Sequence, residues 1–351
     1  MPAASPIQDT FGRSMRDLRI SITDRCNFNC LYCLPENEEA ANFYRKRADP
    51  GNAKPIKYSW KPKSHFLTYE EIIHITRLLA AGGIDKVRIT GGEPLLRRNV
   101  ERLIEGLAAI PGIADIALTT NGFLFPRHAE ALRRAGLNRI TISLDSLQPD
   151  SFRQITGRDG LELVHESLSL AHKLGYSPIK VNAVIIRGIN DHELEDLAEF
   201  GREQNVAMRF IEFMPLDSKR SWQKEHVVTK REMLERLEKR FELIPKPGNN
   251  PAETAKRWTF ADGTGEIGII APVSEPFCGN CNRIRLTADG NMRTCLFSLH
   301  EHDLKTALRD GATDDDLTQR LREIILTKEE RHHIGEQDFV QPARTMSFIG
   351  G

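Results

Sequence analysis

The sequence predicts an α/β fold: an incomplete (βα)6 TIM-type barrel whose open side is covered by a C-terminal region. Three observations lead to this prediction. Six short, apolar, β-rich segments recur along the first 215 residues, helical patterns separate them, and the later units repeat about every 25 to 40 residues. Alternating strands and helices require a parallel sheet, and six units are fewer than the eight that close a complete barrel. A doubly wound sheet fits the same alternation and stays open as the alternative.

The individual elements follow from local patterns. Thr68 and Glu71 have the spacing of a capping box and predict a helix start, and Asp191 is expected to cap the helix that carries Leu194. A charged helix is predicted over residues 229–241. The six strand candidates are residues 17–23, 86–90, 115–120, 139–145, 179–186 and 208–214.

The regular alternation weakens after Pro215, which divides the chain into two predicted parts. Residues 1–215 are expected to form the partial barrel, and residues 216–351 a C-terminal region; whether that region folds alone stays open. Residues 37–65 contain three prolines and seven lysines or arginines with little periodicity. They predict a surface loop.

Composition excludes several classes of protein. The chain of 351 residues has 49 Lys plus Arg and 49 Asp plus Glu, so no global field favours nucleic acid or an anionic membrane. The N-terminus lacks a basic start with an apolar run, and no stretch approaches the roughly 18 apolar residues of a membrane span. The expected location is the cytoplasm.

All six cysteines fall into two triplets. In a chain without a secretion signal, such clustering favours metal ligation over disulfides. The first triplet is Cys26, Cys30 and Cys33, and the second is Cys278, Cys281 and Cys295.

The first triplet has C-x3-C-x2-C spacing directly after the first predicted strand. Active sites of barrel proteins lie at the carboxyl ends of the strands, so this loop is placed at the mouth of the barrel. Thiolates suit iron-sulfur clusters, which ordinarily take four of them, and three would leave one iron open. Zinc held with a distant histidine is the alternative.

This spacing, with Tyr32 just before the third cysteine, resembles the motif of the radical S-adenosylmethionine (SAM) superfamily. In that family the open iron of a [4Fe-4S] cluster chelates SAM. The segment Gly-Gly-Glu after the second strand resembles the family segment that binds the SAM amino group, which implies roles for Gly92 and Glu93. The resemblance also places Tyr32, Ser143 and Met214 in contact with SAM.

The second triplet has C-x2-C-x13-C spacing. A zinc ribbon completed by His300 or His302 is one alternative, and a four-cysteine cluster is another, although the chain has no spare cysteine. Arg283 and Arg285 lie shortly after Cys281, and their side chains would share one face of an extended segment. Guanidinium groups bind carboxylate or phosphate in a bidentate manner, so these two suggest a substrate site.

The segment CGNCNRIRLTADG resembles the auxiliary-cluster motif of the GTP 3′,8-cyclase family, and further matches run from about Phe11 to the last residue. The resemblance implies a second [4Fe-4S] cluster and a C-terminal tail, Gly350-Gly351, that enters the barrel and touches neither cluster. It implies catalytic roles for the tail glycines, Arg283 and Arg285. The implied GTP-binding residues are Arg19, Arg88, Thr119, Lys180, Arg283, Ile284 and Arg285.

The implied reaction is the first step of molybdenum cofactor biosynthesis: a 5′-deoxyadenosyl radical removes the ribose 3′ hydrogen of GTP, and the carbon radical adds to C8 of guanine. The implied partners are GTP, an electron donor and a downstream cyclic pyranopterin monophosphate synthase, and a homodimer is allowed. Neither nucleic acid nor a membrane is expected. The competing functions are another two-cluster radical SAM enzyme, such as one that modifies peptides, and a zinc-binding scaffold.

Overall fold

The computed structural model describes residues 6–34, 61–217, 222–248 and 250–350. These residues contain a 12-stranded sheet with the order β12-β11-β10-β1-β2-β3-β4-β5-β6-β9-β8-β7. The strands are β1 (Asp17–Ser21), β2 (Lys86–Thr90), β3 (Asp115–Thr120), β4 (Arg139–Ser143), β5 (Ile179–Ile185), β6 (Ala207–Glu212), β7 (Leu243–Lys246), β8 (Ala255–Phe260), β9 (Glu266–Ile270), β10 (Arg283–Leu286), β11 (Asn291–Arg293) and β12 (His302–Asp303).

The described residues contain ten α-helices, and the first six of them lie between the successive parallel strands β1 to β6. They are α1 (Tyr69–Ala81), α2 (Val100–Ala108), α3 (Phe125–Arg134), α4 (Pro149–Thr156), α5 (Leu161–Lys173), α6 (Leu194–Glu203), α7 (Lys230–Arg240), α8 (Lys305–Arg309), α9 (Asp314–Leu326) and α10 (Met346–Ile349). None of the helices in the described ranges combines the length and the apolar character that crossing a bilayer requires.

The six strands predicted from the sequence are all present, and they pair in parallel in chain order from β1 to β6. The α/β class and the parallel sheet are therefore confirmed. The C-terminal residues extend this sheet at both edges: β10 pairs in parallel with β1, and β9 pairs in parallel with β6. The outer strands are antiparallel.

Local capping explains where two predicted helices begin. The Thr68 hydroxyl accepts a hydrogen bond from the Glu71 N–H at 3.2 Å, and Thr229 caps α7 in the same way. The prediction for Asp191 is wrong. A 3-10 turn over Asp191–Glu193 precedes α6, and the Asp191 carboxylate accepts the N–H of Gly188 at 2.7 Å. That bond closes the preceding turn, so the carboxylate is not at the helix start.

Side-chain alternation along the strands separates the core from the site. On β1, Leu18 and Ile20 are fully buried in the hydrophobic core, whereas Arg19, between them, points to the other face. The predicted loop over residues 37–65 lies mostly outside the described residues. Its described end includes a 3-10 turn over Lys63–His65.

Candidate active site

The two cysteine triplets lie at opposite ends of the parallel strands. The first triplet follows the carboxyl end of β1. Cys278 and Cys281 come just before β10, which runs parallel to β1, so they lie at the amino end. Cys295 follows β11, which runs antiparallel to β10 and returns the chain to that same end. The two triplets therefore bracket the inner face of the strands.

One cavity of about 650 Å³ joins them. All six cysteines line it, together with side chains from the inner faces of β1 to β6 and of β10. A cavity of this volume is in the range of sites for cofactors and small substrates. Of the predicted SAM and GTP residues, those that line it are Arg19, Tyr32, Arg88, Gly92, Glu93, Thr119, Ser143, Lys180, Met214, Arg283 and Arg285.

The first triplet has an apolar and acidic setting. Burial raises the pKa of Cys26 and of Cys33 to about 12, and it raises the pKa of Cys30 still further. The side-chain amide of Asn121 donates to the Cys26 sulfur at 3.8 Å. Without a metal these thiols would stay protonated at neutral pH, so thiolate formation here depends on metal coordination.

The Gly-Gly-Glu segment packs directly against the cysteine loop. The Gly92 N–H donates to the Thr23 carbonyl at 2.8 Å, and a Cβ at Gly92 would lie 2.2 Å from the carbonyl oxygen of Arg25. Only glycine permits this approach. The Glu93 carboxylate accepts bonds from the Thr120 hydroxyl and the Asn121 N–H, both at 2.8 Å, yet burial raises its pKa to about 7. A bound ammonium group would stabilise its ionised form.

Tyr32 is held by an aspartate that the sequence analysis did not single out. The Tyr32 hydroxyl donates to Asp145 at 2.8 Å, and the second Asp145 oxygen accepts the Val184 N–H at 2.8 Å. Burial raises the pKa of Asp145 to about 6. Asp145 follows the end of β4 and so lies at the same strand edge as the first triplet, a position that could have revealed it.

The second triplet has a cationic setting instead. Burial acts to raise the pKa of the Cys281 thiol, but the charges of Arg283 and Lys328 outweigh it and lower that pKa to about 7. Arg13 donates to the Cys278 carbonyl at 2.8 Å. The two triplets thus offer thiolates in electrostatically different surroundings.

Sulfur spacing bears on the zinc alternative. A tetrahedral zinc ion with Zn–S bonds of about 2.3 Å requires its sulfur ligands to lie about 3.8 Å apart. The described residues include every cysteine. Among them, no three ligand atoms that include a sulfur of either triplet lie within 4.8 Å of one another, even when histidines are counted. His300 and His302 are not part of the large cavity. As placed, neither triplet is gathered for a single tetrahedral ion.

A row of arginines crosses the middle of the cavity. Arg285, Arg19 and Arg88 are register partners on β10, β1 and β2. Arg88 donates to the Thr119 hydroxyl at 3.1 Å, and Arg283 lies one step nearer the second triplet. Three adjacent cations on one face require an anionic or electron-rich ligand to offset their repulsion.

Ile284 differs from the other predicted GTP residues. Its side chain is fully buried in the hydrophobic core on the opposite face of β10, and it does not line the cavity. Any contact with a ligand at this position would come from the main chain.

A second group of cations lines the same cavity. We refer to Lys86, Arg139, Lys180 and Arg209 as the lysine-arginine group. Asp17 and Asp115 neutralise two of them, since Lys86 lies 3.5 Å from Asp17 and Arg139 pairs with Asp115 at 2.5 Å. For the other two, no ion pair within 4.0 Å is found in the described ranges.

The pKa of Lys180 is shifted further from its ordinary value than that of Lys86 or Arg209. Burial and the neighbouring arginines lower its pKa to about 6. The sequence analysis identified Lys180 but missed the other three members. Lys86 could have been found, because it lies two residues before Arg88 and therefore on the same face of β2.

The C-terminal tail enters the cavity wall. The Gly350 carbonyl accepts a hydrogen bond from Arg285, and a Cβ at Gly350 would lie 2.1 Å from the Thr90 hydroxyl. Gly351 lies outside the described residues. Ser347, which lies before this tail, hydrogen-bonds the Cys33 sulfur through both its main chain and its side chain. The turn of α10 directs Ser347 back to the first triplet.

Comparison with known proteins agrees with this arrangement. The profile of the radical SAM superfamily matches residues 20–201, and the profile "Molybdenum Cofactor Synthesis C" matches residues 206–334. The GTP 3′,8-cyclase of Rhodopirellula baltica is 44% identical over 347 residues, which are 98% of this chain and 91% of that protein. The chain belongs to the GTP 3′,8-cyclase family. The Streptomyces coelicolor GTP 3′,8-cyclase is 41% identical over 98% of this chain and 96% of that protein.

Solved structures support the fold. Streptococcus suis SuiB bound to its precursor peptide SuiA aligns with a TM-score of 0.59 at 14% identity, covering 91% of this chain and 72% of that one. At this identity the likeness concerns the fold alone. Membership in the radical SAM superfamily, together with the first triplet, implies SAM and a [4Fe-4S] cluster. The zinc scaffold is no longer a competing function.

Proposed function

We propose that this protein is a radical SAM GTP 3′,8-cyclase, which converts GTP to (8S)-3′,8-cyclo-7,8-dihydroguanosine 5′-triphosphate and cleaves SAM to 5′-deoxyadenosine and methionine. This is the first step of molybdenum cofactor biosynthesis. One observation carries the proposal: a single cavity has a cysteine triplet at each end and a row of arginines between them. Family membership over nearly the whole chain supports it.

At the first end, the proposed ligands of a [4Fe-4S] cluster are Cys26, Cys30 and Cys33. The donor set fits, because three buried thiols without a fourth leave one iron free for SAM. When bound, the cluster and SAM supply the radical chemistry, and the protein supplies orientation. Glu93, in its ionised form, would pair with the SAM ammonium group, and Tyr32, fixed by Asp145, would border the adenine.

At the other end, Cys278, Cys281 and Cys295 would hold a second [4Fe-4S] cluster with one open iron. Two features support this assignment. The three sulfur atoms are not gathered for a single ion, and the charges of Arg283 and Lys328 lower the pKa of Cys281, although burial prevails at Cys278 and Cys295 and raises their pKa values. The guanine of GTP would lie against this cluster and between Arg283 and Arg285. The two guanidinium groups can then fix the base and the nearby ribose.

The triphosphate is assigned to the lysine-arginine group. Lys180 and Arg209 lie on neighbouring strands, and no ion pair within 4.0 Å holds either of them in the described ranges, although Glu253 and Glu266 act electrostatically on Arg209. Both side chains are therefore available to contact phosphate. Arg88, at one end of the arginine row, shares a face of β2 with Lys86 of this group. GTP bound in this way would span the cavity and present its ribose towards the SAM site.

The finer architecture is part of the proposal. Residues 1–215 would form a barrel that stays incomplete, and residues 216–351 would cover its open side while carrying the second cluster. Strands from this second region at both edges of the sheet support such a division of roles. An electron donor and a downstream cyclic pyranopterin monophosphate synthase complete the proposed pathway.

The decisive test is an anaerobic reaction of reconstituted full-length protein with GTP, SAM and a reductant. The expected products are equimolar 5′-deoxyadenosine and a cyclised GTP, identified by mass spectrometry, from a protein that holds about eight irons per chain. Formation of 5′-deoxyadenosine with no change in GTP would refute the substrate. A preparation with about four irons and with zinc in the second site would refute the second cluster.

A further inference from the structure

Lys328 is a buried cation for which neither the sequence motifs nor the proposed substrate contacts account. It follows the end of α9, and only 3% of its surface is exposed. Its ammonium group donates to two main-chain carbonyls, that of Arg283 at 3.0 Å and that of Thr294. Fixing a long side chain in one buried position costs rotamer entropy, so this placement calls for a reason.

The two carbonyls belong to separate segments that carry the second triplet. Arg283 lies two residues after Cys281, and Thr294 directly precedes Cys295. The strands that connect these segments, β10 and β11, are joined by a turn at the far end from the cysteines. The Lys328 ammonium therefore bridges the two segments at the end where their cysteines must converge.

The charge of Lys328 also lacks an ordinary counter-ion. Within the described ranges no carboxylate lies within 4.0 Å of its ammonium nitrogen; the adjacent Glu329 carboxylate accepts the Thr294 hydroxyl at 2.7 Å instead. A buried charge is costly unless an opposite charge compensates it. The second triplet can supply such a charge, since Lys328 acts electrostatically on all three of its thiols.

Among the described residues, no cation is found to act on the thiols of the first triplet in this way. The charged side chains that act on them there are Glu93 and Asp145, both acidic. An added cation thus distinguishes the second site. Net charge and hydrogen bonding near an iron-sulfur cluster set its reduction potential, and a nearby positive charge stabilises the reduced, more negative state.

We propose that Lys328 is a positioning residue of the second cluster: it joins the two segments that carry the cysteines and raises the reduction potential of that cluster relative to the same site without the charge. This inference rests on the second cluster of the proposed function. Lys328 touches neither GTP nor SAM in this assignment. It acts through the main chain of Arg283 and through its charge.

The test uses reconstituted full-length protein and four variants. Lys328→Met removes the charge and the hydrogen bonds, Lys328→Gln removes the charge but keeps a donor, and Lys328→Arg keeps the charge. Lys305→Met is the matched control, because Lys305 also donates to a main-chain carbonyl, that of His65 at 3.0 Å, but contacts neither triplet. The measurements are iron per chain, the rate of iron release to a chelator, and the potentials of both clusters from redox titration followed by electron paramagnetic resonance.

The wild-type protein and the Lys305→Met variant are expected to hold about eight irons and to show two cluster signals. In Lys328→Gln and Lys328→Met, we expect the potential of the second cluster to fall and half of the iron to be released about tenfold faster, while the first-cluster signal is unchanged. Lys328→Arg should restore the wild-type potential. Either neutral variant that retains the first-cluster signal is folded and suffices for the comparison.

Three results would overturn the inference: neutral variants with the wild-type potential and release rate, an equal shift of both clusters, or a Lys328→Arg variant that behaves like Lys328→Met. A wild-type protein with only about four irons would instead refute the second cluster itself. The two failures are therefore distinguishable in the same set of preparations.

Discussion

Lys180 should take up a proton when GTP binds. In the free protein, burial and the surrounding arginines lower the pKa of Lys180 to about 6. At pH 8 only about 1% of the side chains would carry a charge, by the ordinary titration relation. A triphosphate beside Lys180 would return its pKa towards the usual value of about 10.4, so binding at pH 8 should take up nearly one proton. The same linkage weakens GTP binding about tenfold for each unit of pH between 7 and 9.

Isothermal titration calorimetry under anaerobic conditions can measure this uptake. The binding enthalpy is determined at pH 8 in several buffers of different ionisation enthalpy, and the slope against the buffer enthalpy gives the number of protons. The γ-phosphate of GTP is already ionised at pH 8, because the second pKa of a phosphate is about 6. The expected slope is therefore close to one, with a smaller added contribution from Lys86, whose pKa is also lowered by burial.

The Lys180→Arg variant is the control. A guanidinium group stays charged at pH 8, so this variant should bind GTP with a slope near zero and without the tenfold dependence on pH. If the wild-type protein bound GTP with no dependence on buffer, then Lys180 would not face the triphosphate. The lysine-arginine group would then lose its assigned role.

Three further predictions concern the cysteines, the glycines and the tail. Cys30→Ala should abolish SAM cleavage, whereas Cys281→Ala should chiefly impair GTP binding or turnover. If Cys30→Ala formed 5′-deoxyadenosine at the wild-type rate, the first-cluster assignment would be wrong. Deletion of residues 350–351 should leave iron content and GTP affinity largely intact but severely reduce cyclised product, and a truncated enzyme with full turnover would show the tail to be passive. Gly92→Ala should destabilise the fold by about 1–3 kcal/mol and weaken SAM binding, because the new Cβ would meet the main chain of the cysteine loop. An unchanged denaturant midpoint would disprove that clash.

The six parallel strands could be predicted because each is a short β-rich segment with regularly placed apolar residues, and helical patterns separate them. The same local logic correctly placed the capping box at Thr68. It failed at Asp191. The carboxylate of this residue could either cap the following helix or accept the N–H of Gly188, and in the structure it accepts the N–H of Gly188. Local sequence cannot rank these two alternatives, because either one gives the carboxylate a hydrogen-bond donor.

The candidate site was predictable where motif and spacing coincide, as in both cysteine triplets. Residues that depend on strand neighbours were not. Arg139 and Arg209 reach the cavity because β4 and β6 lie in a particular register beside β5. Lys328 was missed for a related reason: its partners are carbonyls 34 and 45 positions away along the chain, and main-chain carbonyls have no signature in a sequence.

The position of β1 between β2 and β10 has a consequence for synthesis of the chain. β1 is made first, but its second neighbour emerges from the ribosome only after roughly 260 further residues, or about 13 to 50 s at ordinary elongation rates. Throughout that interval the nascent sheet exposes an unpaired parallel edge at β1, and for a shorter time another at β6. Such edges are sites of aggregation. A nascent chain of this enzyme should therefore depend on chaperones until its last third has been translated, and a fragment that ends near Pro215 should be insoluble.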